Sequence, residues 1–299
     1  MIEAAAAYNM LLHTRLIWGK LCLPEVFQSF MDVSIAVVNY NTKDLALNCI
    51  NSVIEKTQGL DYEIILADNN SADNSVSEIK NKFPSVKVLA LKENIGFGRA
   101  NNECIKNSEG KYVFCLNPDT ILVNNAVKIL FDFMEQHPET GAAGGNLYDK
   151  DMNFCHAFGY GDDIISLLLR KTFLKWLYLP KYLRIKNYEK NADKTKVQEV
   201  NHITGADLML RRSVLDETGL FNEKFFLYFE ETELEMRIRR AGYKIFFVPE
   251  SKIIHLEGKN RRKSADNYFH QSFIEYYRLC FGEGWAQTAE FLTEKKAGV

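Results

Sequence analysis

No C-x-x-C pair occurs among the six cysteines, Cys22, Cys49, Cys104, Cys115, Cys155 and Cys280. Several sit inside apolar periodic segments, where a free cysteine behaves as a small hydrophobe. The spacing argues against a zinc site and a disulfide framework and fits a reducing compartment, so the expected location is the cytoplasm. No run of 18 apolar residues is present, which argues against a spanning helix. Charge of one sign is also lacking. The formal net charge is −2, and no global basic field points to nucleic acid. Internal repeats and low-complexity tracts are absent. So is the phosphate loop G-x-x-x-x-G-K-[ST]. "GFGRAN" (96–101) has two glycines of a G-x-G-x-x-G turn, but Asn101 stands at the third, and the segment follows the third predicted strand, not the first. Dehydrogenase and P-loop readings fall away.

What is present is ordinary in bulk. Hydrophobic residues make up 46% and charged residues 25%, as in a soluble globular protein, and 299 residues suffice for one large domain or two small ones. The first 30 residues lack the early positive charge and clean apolar core of a signal peptide, although "AAAAYNMLLHTRLIW" is rich in helix formers. Met31 opens "MDVSIAVVNYNT", a natural start for a domain. Residues 1–31 are therefore expected to be an atypical extension or a peripheral helix.

"VSIAVV" (33–38) is a β-branched apolar run, expected of a strand buried on both faces. Asn41 or Thr42 can cap the next helix, about Lys43 to Lys56, with Leu45, Cys49, Ile50, Val53 and Ile54 on one face. Strands follow at 63–67, 86–91 and 111–116, and helices at 74–83, 99–107 and 125–137. This alternation predicts a doubly wound, mostly parallel α/β sheet, whose ligands bind outside the carboxyl ends of the strands. Those ends read "NYN", "DNNS", "ENIGFG" and "NPD". Each is an ordinary loop sequence singly; four polar strand ends on one edge form a site.

The second half predicts strand, short helix, loop, helix, strand, strand. The helix at about Glu230 to Arg240 presents Glu233/Arg237 and Glu235/Arg239 as i,i+4 pairs, with Gly242 as its C′ residue. A last helix is expected over 264–281. Between the halves, from Arg170 to Lys196, nine Lys or Arg stand against two acids. Aromatics interleave with them, which suits a solvated loop or an interfacial segment near anionic lipid. "KNRRK" (259–263) fits either reading.

"VSIAVVNYNTKDLALNCINSV", "ILADNNSADNS", "ENIGFGRANN", "LNPDT" and "ITGADLMLRRSVLDETGLFNEKFFLYFEETELEMRIRRAGYKIFFVPESKIIH" follow one another in this order. As an ordered set they resemble the GT-A family 2 inverting glycosyltransferases, in the rhamnosyltransferase-like branch of bacterial polysaccharide synthesis. The resemblance covers about Asp32 to His255. It implies a GT-A, Rossmann-like sheet with a nucleotide-sugar-binding half (32–146), an acceptor-binding and catalytic half of the same domain (147–258) and a C-terminal helical region (259–299).

The resemblance also implies roles. Asn117-Pro118-Asp119 takes the place of the family's D-x-D motif, with Asp119 as ligand of Mg2+ or Mn2+ and Asn117 supplying a neutral oxygen. If the segment is extended, positions i and i+2 point the same way; an Asx-type turn stiffened by Pro118 is the competing reading. His255 would complete the metal site. Val38 and Tyr40 would flank the base, Asp68 and Asn69 contact base and ribose, and Asn94, Gly96 and Arg99 belong to the loop over the nucleotide. Gly205 and Ala206 match the acceptor side, as does Glu230; Asp207 has no assigned role. Glu231 falls where the family places its catalytic base, one methylene longer than the usual Asp. Beside a helix N-terminus it is expected to be ionised and to take the acceptor's proton.

The implied partners are a nucleoside-diphosphate sugar, a saccharide or lipid-linked acceptor and a peripheral membrane contact, with no nucleic acid. The alternatives are a sugar-phosphate nucleotidyltransferase, which would carry a Gly-rich phosphate loop that "NYNTKD" lacks, and a non-catalytic nucleotide-sugar or glycan binder.

Overall fold

A computed structural model describes residues 31–160, 193–256 and 263–294. The N-terminal extension, most of the basic-aromatic segment and all of "KNRRK" except Lys263 lie outside these residues. The first four strands are Val33–Asn39 (β1), Tyr62–Asp68 (β2), Lys87–Ala90 (β3) and Tyr112–Leu116 (β4). They pair in parallel in the order β3-β2-β1-β4, as the alternating pattern requires. Every residue of β1 is buried, so the continuous apolar run is explained by helices on both faces.

The crossovers are helices Lys43–Lys56 (α1), Ser75–Lys82 (α2) and Phe97–Lys106 (α3). α1 buries Ala46, Cys49, Ile50, Ser52 and Val53, whereas Ile54 is turned to solvent. Thr42 occupies the cap position without capping through its side chain. Its hydroxyl donates to Asn39 Oδ1 at 2.7 Å. The first N–H of α1, on Lys43, is met by Asp73 Oδ2 at 2.9 Å. The cap is thus supplied from 30 residues away, and a local reading had no means to find it.

Beyond β4 the sheet becomes mixed. The remaining elements are Thr120–Leu122 (β5), Ala126–Gln136 (α4), Thr140–Tyr148 (β6), Phe158–Gly159 (β7), Gln198–Glu199 (β8), His202–Ile203 (β9), Asp207–Arg211 (β10), Arg212–Thr218 (α5), Glu230–Arg240 (α6), Lys244–His255 (β11), Lys263–Phe281 (α7) and Glu283–Glu294 (α8). The main sheet runs β3-β2-β1-β4-β10-β6-β11-β5, with β8 on β11. β10 is antiparallel to both β4 and β6, and β11 is parallel to β6 but antiparallel to β5.

Three elements differ from expectation. β11 is one strand of 12 residues with a register shift between Phe247 and Lys252, not two strands. α8 follows Gly282, whose φ of 96° closes α7. β6, "TGAAGGNLY", is fully buried although its glycines argue against a strand. Packing explains it: a Cβ on Gly141, Gly144 or Gly145 would lie 2.5, 2.2 or 2.5 Å from Ile238, Ile203 or Ser251.

Candidate active site

The carboxyl ends of β1, β2 and β4 meet at one edge, beneath a cleft of about 310 Å³. Val38, Tyr40, Asn69, Asn94, Gly96, Asn117 and Asp119 all line it. Seven residues singled out in the sequence are thus brought together from four loops. Tyr40 is 44% exposed, so its ring is available to a ligand. Asn69 is buried and works on its neighbours: Nδ2 donates to Gly96 O at 3.1 Å, and Oδ1 accepts from Ile95 N at 3.3 Å. Asn94 Oδ1 accepts from Gly96 N at 3.0 Å. Both side chains shape the 94–96 loop as well as facing the cleft.

Gly96 is required there. Its φ is 91°, and a Cβ would stand 2.4 Å from Phe226 O. Phe97 N donates to that same carbonyl at 2.9 Å, clamping the loop to the segment that leads into α6. Phe226 and Leu227 line the cleft too. They were invisible to sequence reading, because only the tertiary fold carries this distant segment over the cleft.

Two expected contacts sit elsewhere. Asp68 is buried, with Oδ2 accepting from Asn39 Nδ2 at 2.7 Å and Oδ1 from Ser71 N at 2.8 Å. It braces the ends of β1 and β2 beneath the cleft and does not line it. Arg99 is exposed and donates from Nε to Glu223 O at 2.8 Å.

Asn117-Pro118-Asp119 is a turn and not the extended segment considered above. Thr120 N and Oγ1 donate to Asn117 O at 3.3 and 2.7 Å. Asn117 N donates to Ala206 O at 3.0 Å, and Leu256 N to Asp119 O at 2.8 Å. Below the turn Cys49 Sγ lies 3.5 Å from both Asn117 O and Thr120 Oγ1. Burial pushes this thiol up to about 12, which leaves it a packing group. The β5–β11 register pairs Thr120 with His255 and brings His255 Nε2 to 3.3 Å from Asp119 Oδ1. Asn117 Oδ1 is buried without a hydrogen-bond partner among the described residues.

A carboxylate beside an imidazole, with an unsatisfied amide oxygen on the same turn, suits a divalent cation. No group of three or more His, Cys, Asp or Glu that could hold a metal occurs among the described residues. A cation here would take its remaining ligands from phosphate or water, as Mg2+ commonly does.

The acids enter at the first turn of α6. Tyr228 and Phe229 precede it with φ of 72° and 68°. Aromatic residues rarely adopt this left-handed conformation, at an expense of about 1–3 kcal/mol each. It sets the angle at which Glu230 and Glu231 enter the fold. Glu230 is 2% exposed, packs beside Gly98 and leaves Oε2 without a partner. Burial, and then repulsion from Glu231, hold its carboxyl well above the usual range.

Glu231 is only half-buried. Burial raises it too, while backbone N–H bonds from Glu231 itself, Gly205 and Thr232 pull it down. Both carboxyls therefore hold a proton more tightly than an ordinary carboxylate, Glu230 the more strongly. A Cβ on Gly205 would sit 3.6 Å from Glu231 Cδ. The Gly205–Ala206 corner therefore touches the acid with one residue and the Asn117 turn with the next.

Asp207, unassigned by the sequence, is fully buried in β10. Its Oδ2 accepts from Gly145 N at 2.6 Å, its Oδ1 is without a partner, and burial raises its carboxyl well above the usual range.

A mostly parallel α/β sheet of this strand order, with an acidic turn at its carboxyl edge, is of the GT-A class. Solved structures agree at the level of fold. GalNAc-T7 with UDP, GalNAc and Mn2+ superposes with a TM-score of 0.61 at 18% identity, over 86% of this chain and 49% of that one. Mannosyltransferase PcManGT from Pyrobaculum calidifontis with GDP-Man and Mn2+ superposes at 0.58 and 14%, over 90% and 76%.

The family model for glycosyl transferase family 2 matches residues 34–219, and the chain belongs to that family. It is 25% identical over 203 residues to an N-acetylglucosaminyl-diphospho-decaprenol L-rhamnosyltransferase of Mycobacterium tuberculosis, covering 64% of this chain and 66% of that protein. It is 24% identical over 235 residues to the O-antigen biosynthesis protein RfbC of Myxococcus xanthus, covering 78% and 18%. The chain thus spans just under two thirds of the first of these and a small part of the second. No helix among the described residues is long and apolar enough to cross a membrane.

Proposed function

We propose that this protein transfers a sugar from a nucleoside diphosphate, dTDP-rhamnose or a UDP-sugar, to a hydroxyl of a saccharide or lipid-linked acceptor in bacterial surface polysaccharide synthesis, with inversion at the anomeric carbon. One observation carries the reading. The Gly205–Ala206 corner joins the Asn117–Asp119 turn to Glu231, through Ala206 O on Asn117 N and Gly205 N on the Glu231 carboxylate. A group suited to a diphosphate and a group suited to an acceptor hydroxyl are thereby held on one backbone corner.

Tyr40 and Val38 would receive the base in the 310 Å³ cleft, with the 94–96 loop closing its side. Asp119, His255 and the Asn117 amide oxygen would hold Mg2+ or Mn2+, which when bound neutralises charge on the departing diphosphate. Glu231 takes the proton from the acceptor hydroxyl as that oxygen bonds to the anomeric carbon. The bond from that carbon to the diphosphate breaks, and its electron pair leaves with the nucleotide. Gly205, having no side chain, leaves the acceptor room beside Glu231. Glu230, whose carboxyl is raised the further by burial and by Glu231, resists a second charge accumulating there.

The experiment presents UDP-, dTDP- and GDP-sugars with Mn2+ and follows both binding and donor turnover. At least one donor is expected to bind in a Mn2+-dependent way, and Asp119→Ala is expected to abolish that dependence. Glu231→Gln is expected to keep donor binding and to lower transfer by about 10²–10⁴-fold. Because burial raises Glu231, the acid limb of the rate profile should lie above the ordinary carboxylate range. Metal-independent behaviour with every donor, or full activity in Glu231→Gln, sinks the reading.

A further inference from the structure

A second cleft, of about 540 Å³, lies between α7, α8 and the segment before α6. Its volume is within the range of small-molecule sites, roughly 300–1,000 Å³. Phe226 lines this cleft and the donor cleft alike, so the two adjoin at one residue. Its ring stacks on Tyr268 at 4.5 Å between centroids and 25° between planes.

α7 explains the lining. Tyr268, Gln271, Glu275 and Arg278 recur at helical spacing and face the cleft. Phe273, Tyr276, Tyr277 and Phe281 pack together in an aromatic cluster that includes Phe229. A groove that merely joined two helices would be apolar on the first face as well. Here it carries hydrogen-bonding groups beside an aromatic wall.

The charges balance. Lys224 and Arg278 stand against Glu275 and Glu290 in the lining. Glu275 pairs with Lys224 at 3.3 Å and also with Arg278. Such a lining gives no net attraction to a phosphate or to a polycation. It offers paired donors and acceptors to a neutral, many-hydroxyl ligand, and an aromatic face to the C–H side of a sugar ring.

We propose that this cleft binds an uncharged oligosaccharide, namely the part of the acceptor glycan that trails behind the hydroxyl being glycosylated. The inference rests on the transferase reading for the identity of the ligand and on the cleft alone for its chemistry. Ser272 Oγ donates to Leu227 O at 2.8 Å, which ties the cleft-bearing helix to the segment flanking the donor site. A glycan seated on α7 thus meets a segment already fixed against the donor loop.

The test uses the full chain on a printed array of bacterial surface oligosaccharides of one to six residues, without donor, alongside Mn2+-dependent donor binding in solution. Retention of oligosaccharides is expected, with monosaccharides retained at least tenfold less. Tyr268→Ala should weaken retention at least tenfold while leaving donor binding unchanged. Gln271→Ala, on an exposed helical position where folding is not at risk, should weaken it severalfold. Failure to retain any glycan overturns the proposal, as does undiminished retention by both variants. Donor binding without glycan retention rejects the cleft and spares the transferase; glycan retention without donor binding does the reverse.

Discussion

Among single residues, Asp207 makes the sharpest demand on the fold. It is a carboxyl in the middle of a sheet, with one backbone N–H for a partner and no opposing cation in contact among the described residues. Its folded affinity for protons exceeds its unfolded one. Between the unfolded value near 4 and the raised folded value, the native state therefore binds more protons than the unfolded chain. The stability this group contributes is complete at low pH and is lost as pH rises through the folded value. Glu230 acts in the same direction. Urea unfolding is accordingly expected to show stability falling with pH across this window, and Asp207→Asn should flatten the slope. An unchanged slope in the variant would remove Asp207 as the source. The identity of this residue was plain in the sequence, but its burial was not. The spacing within "ADLMLRR" does not tell that β10 lies inside the sheet, between β4 and β6.

At the scale of elements, the long, patterned ones were legible. β1, β2, β4, α1 and α6 follow from β-branched runs and 3.6-residue spacing, because their side chains settle their own burial. β6 was not legible, because its glycines are selected by the neighbours that crowd it. Gly145→Ala tests this. The added Cβ would meet Ser251 O at 2.6 Å and Cβ at 2.8 Å. These are atoms of a neighbouring strand that no rotamer change can move aside. A loss of about 1–3 kcal/mol is expected in chemical denaturation; a variant as stable as the parent would show that β6 and β11 can separate freely. The Asn117 turn gives the complementary lesson. Pro118 announced a corner, but the acceptors that pin it, Ala206 O and Asn117 O, belong to the fold and to the turn's own backbone.

For the molecule as a whole, residues 146 and 147 mark no boundary in the fold. β10, from the later half, lies between β4 and β6 of the earlier half, and β11 lies between β6 and β5. A chain ending at residue 146 would leave β6 without β10 and β11, and β5 without β11. Such a fragment is expected to show no cooperative thermal transition, whereas a chain beginning at Met31 should unfold in one. A sharp transition in the fragment would make the two halves independent domains. The interleaving also explains how the candidate site is assembled: the polar strand ends come from parallel strands early in the sequence, and Glu231 and Phe226 come from a segment more than 100 residues later.

The sequence by itself determined the class of sheet, the polar character of its binding edge and the residues to look for there, because strand and helix periods and strand-end chemistry are local properties. The order of motifs was enough to place the chain in its family. Tertiary structure decided the rest: that Asp68 braces the edge while Phe226 walls it, that Gly205 and Ala206 couple the turn to Glu231, and that burial raises both adjacent glutamates. Those outcomes depend on burial and on backbone donors brought from distant segments. Neither is encoded in the spacing of the residues concerned.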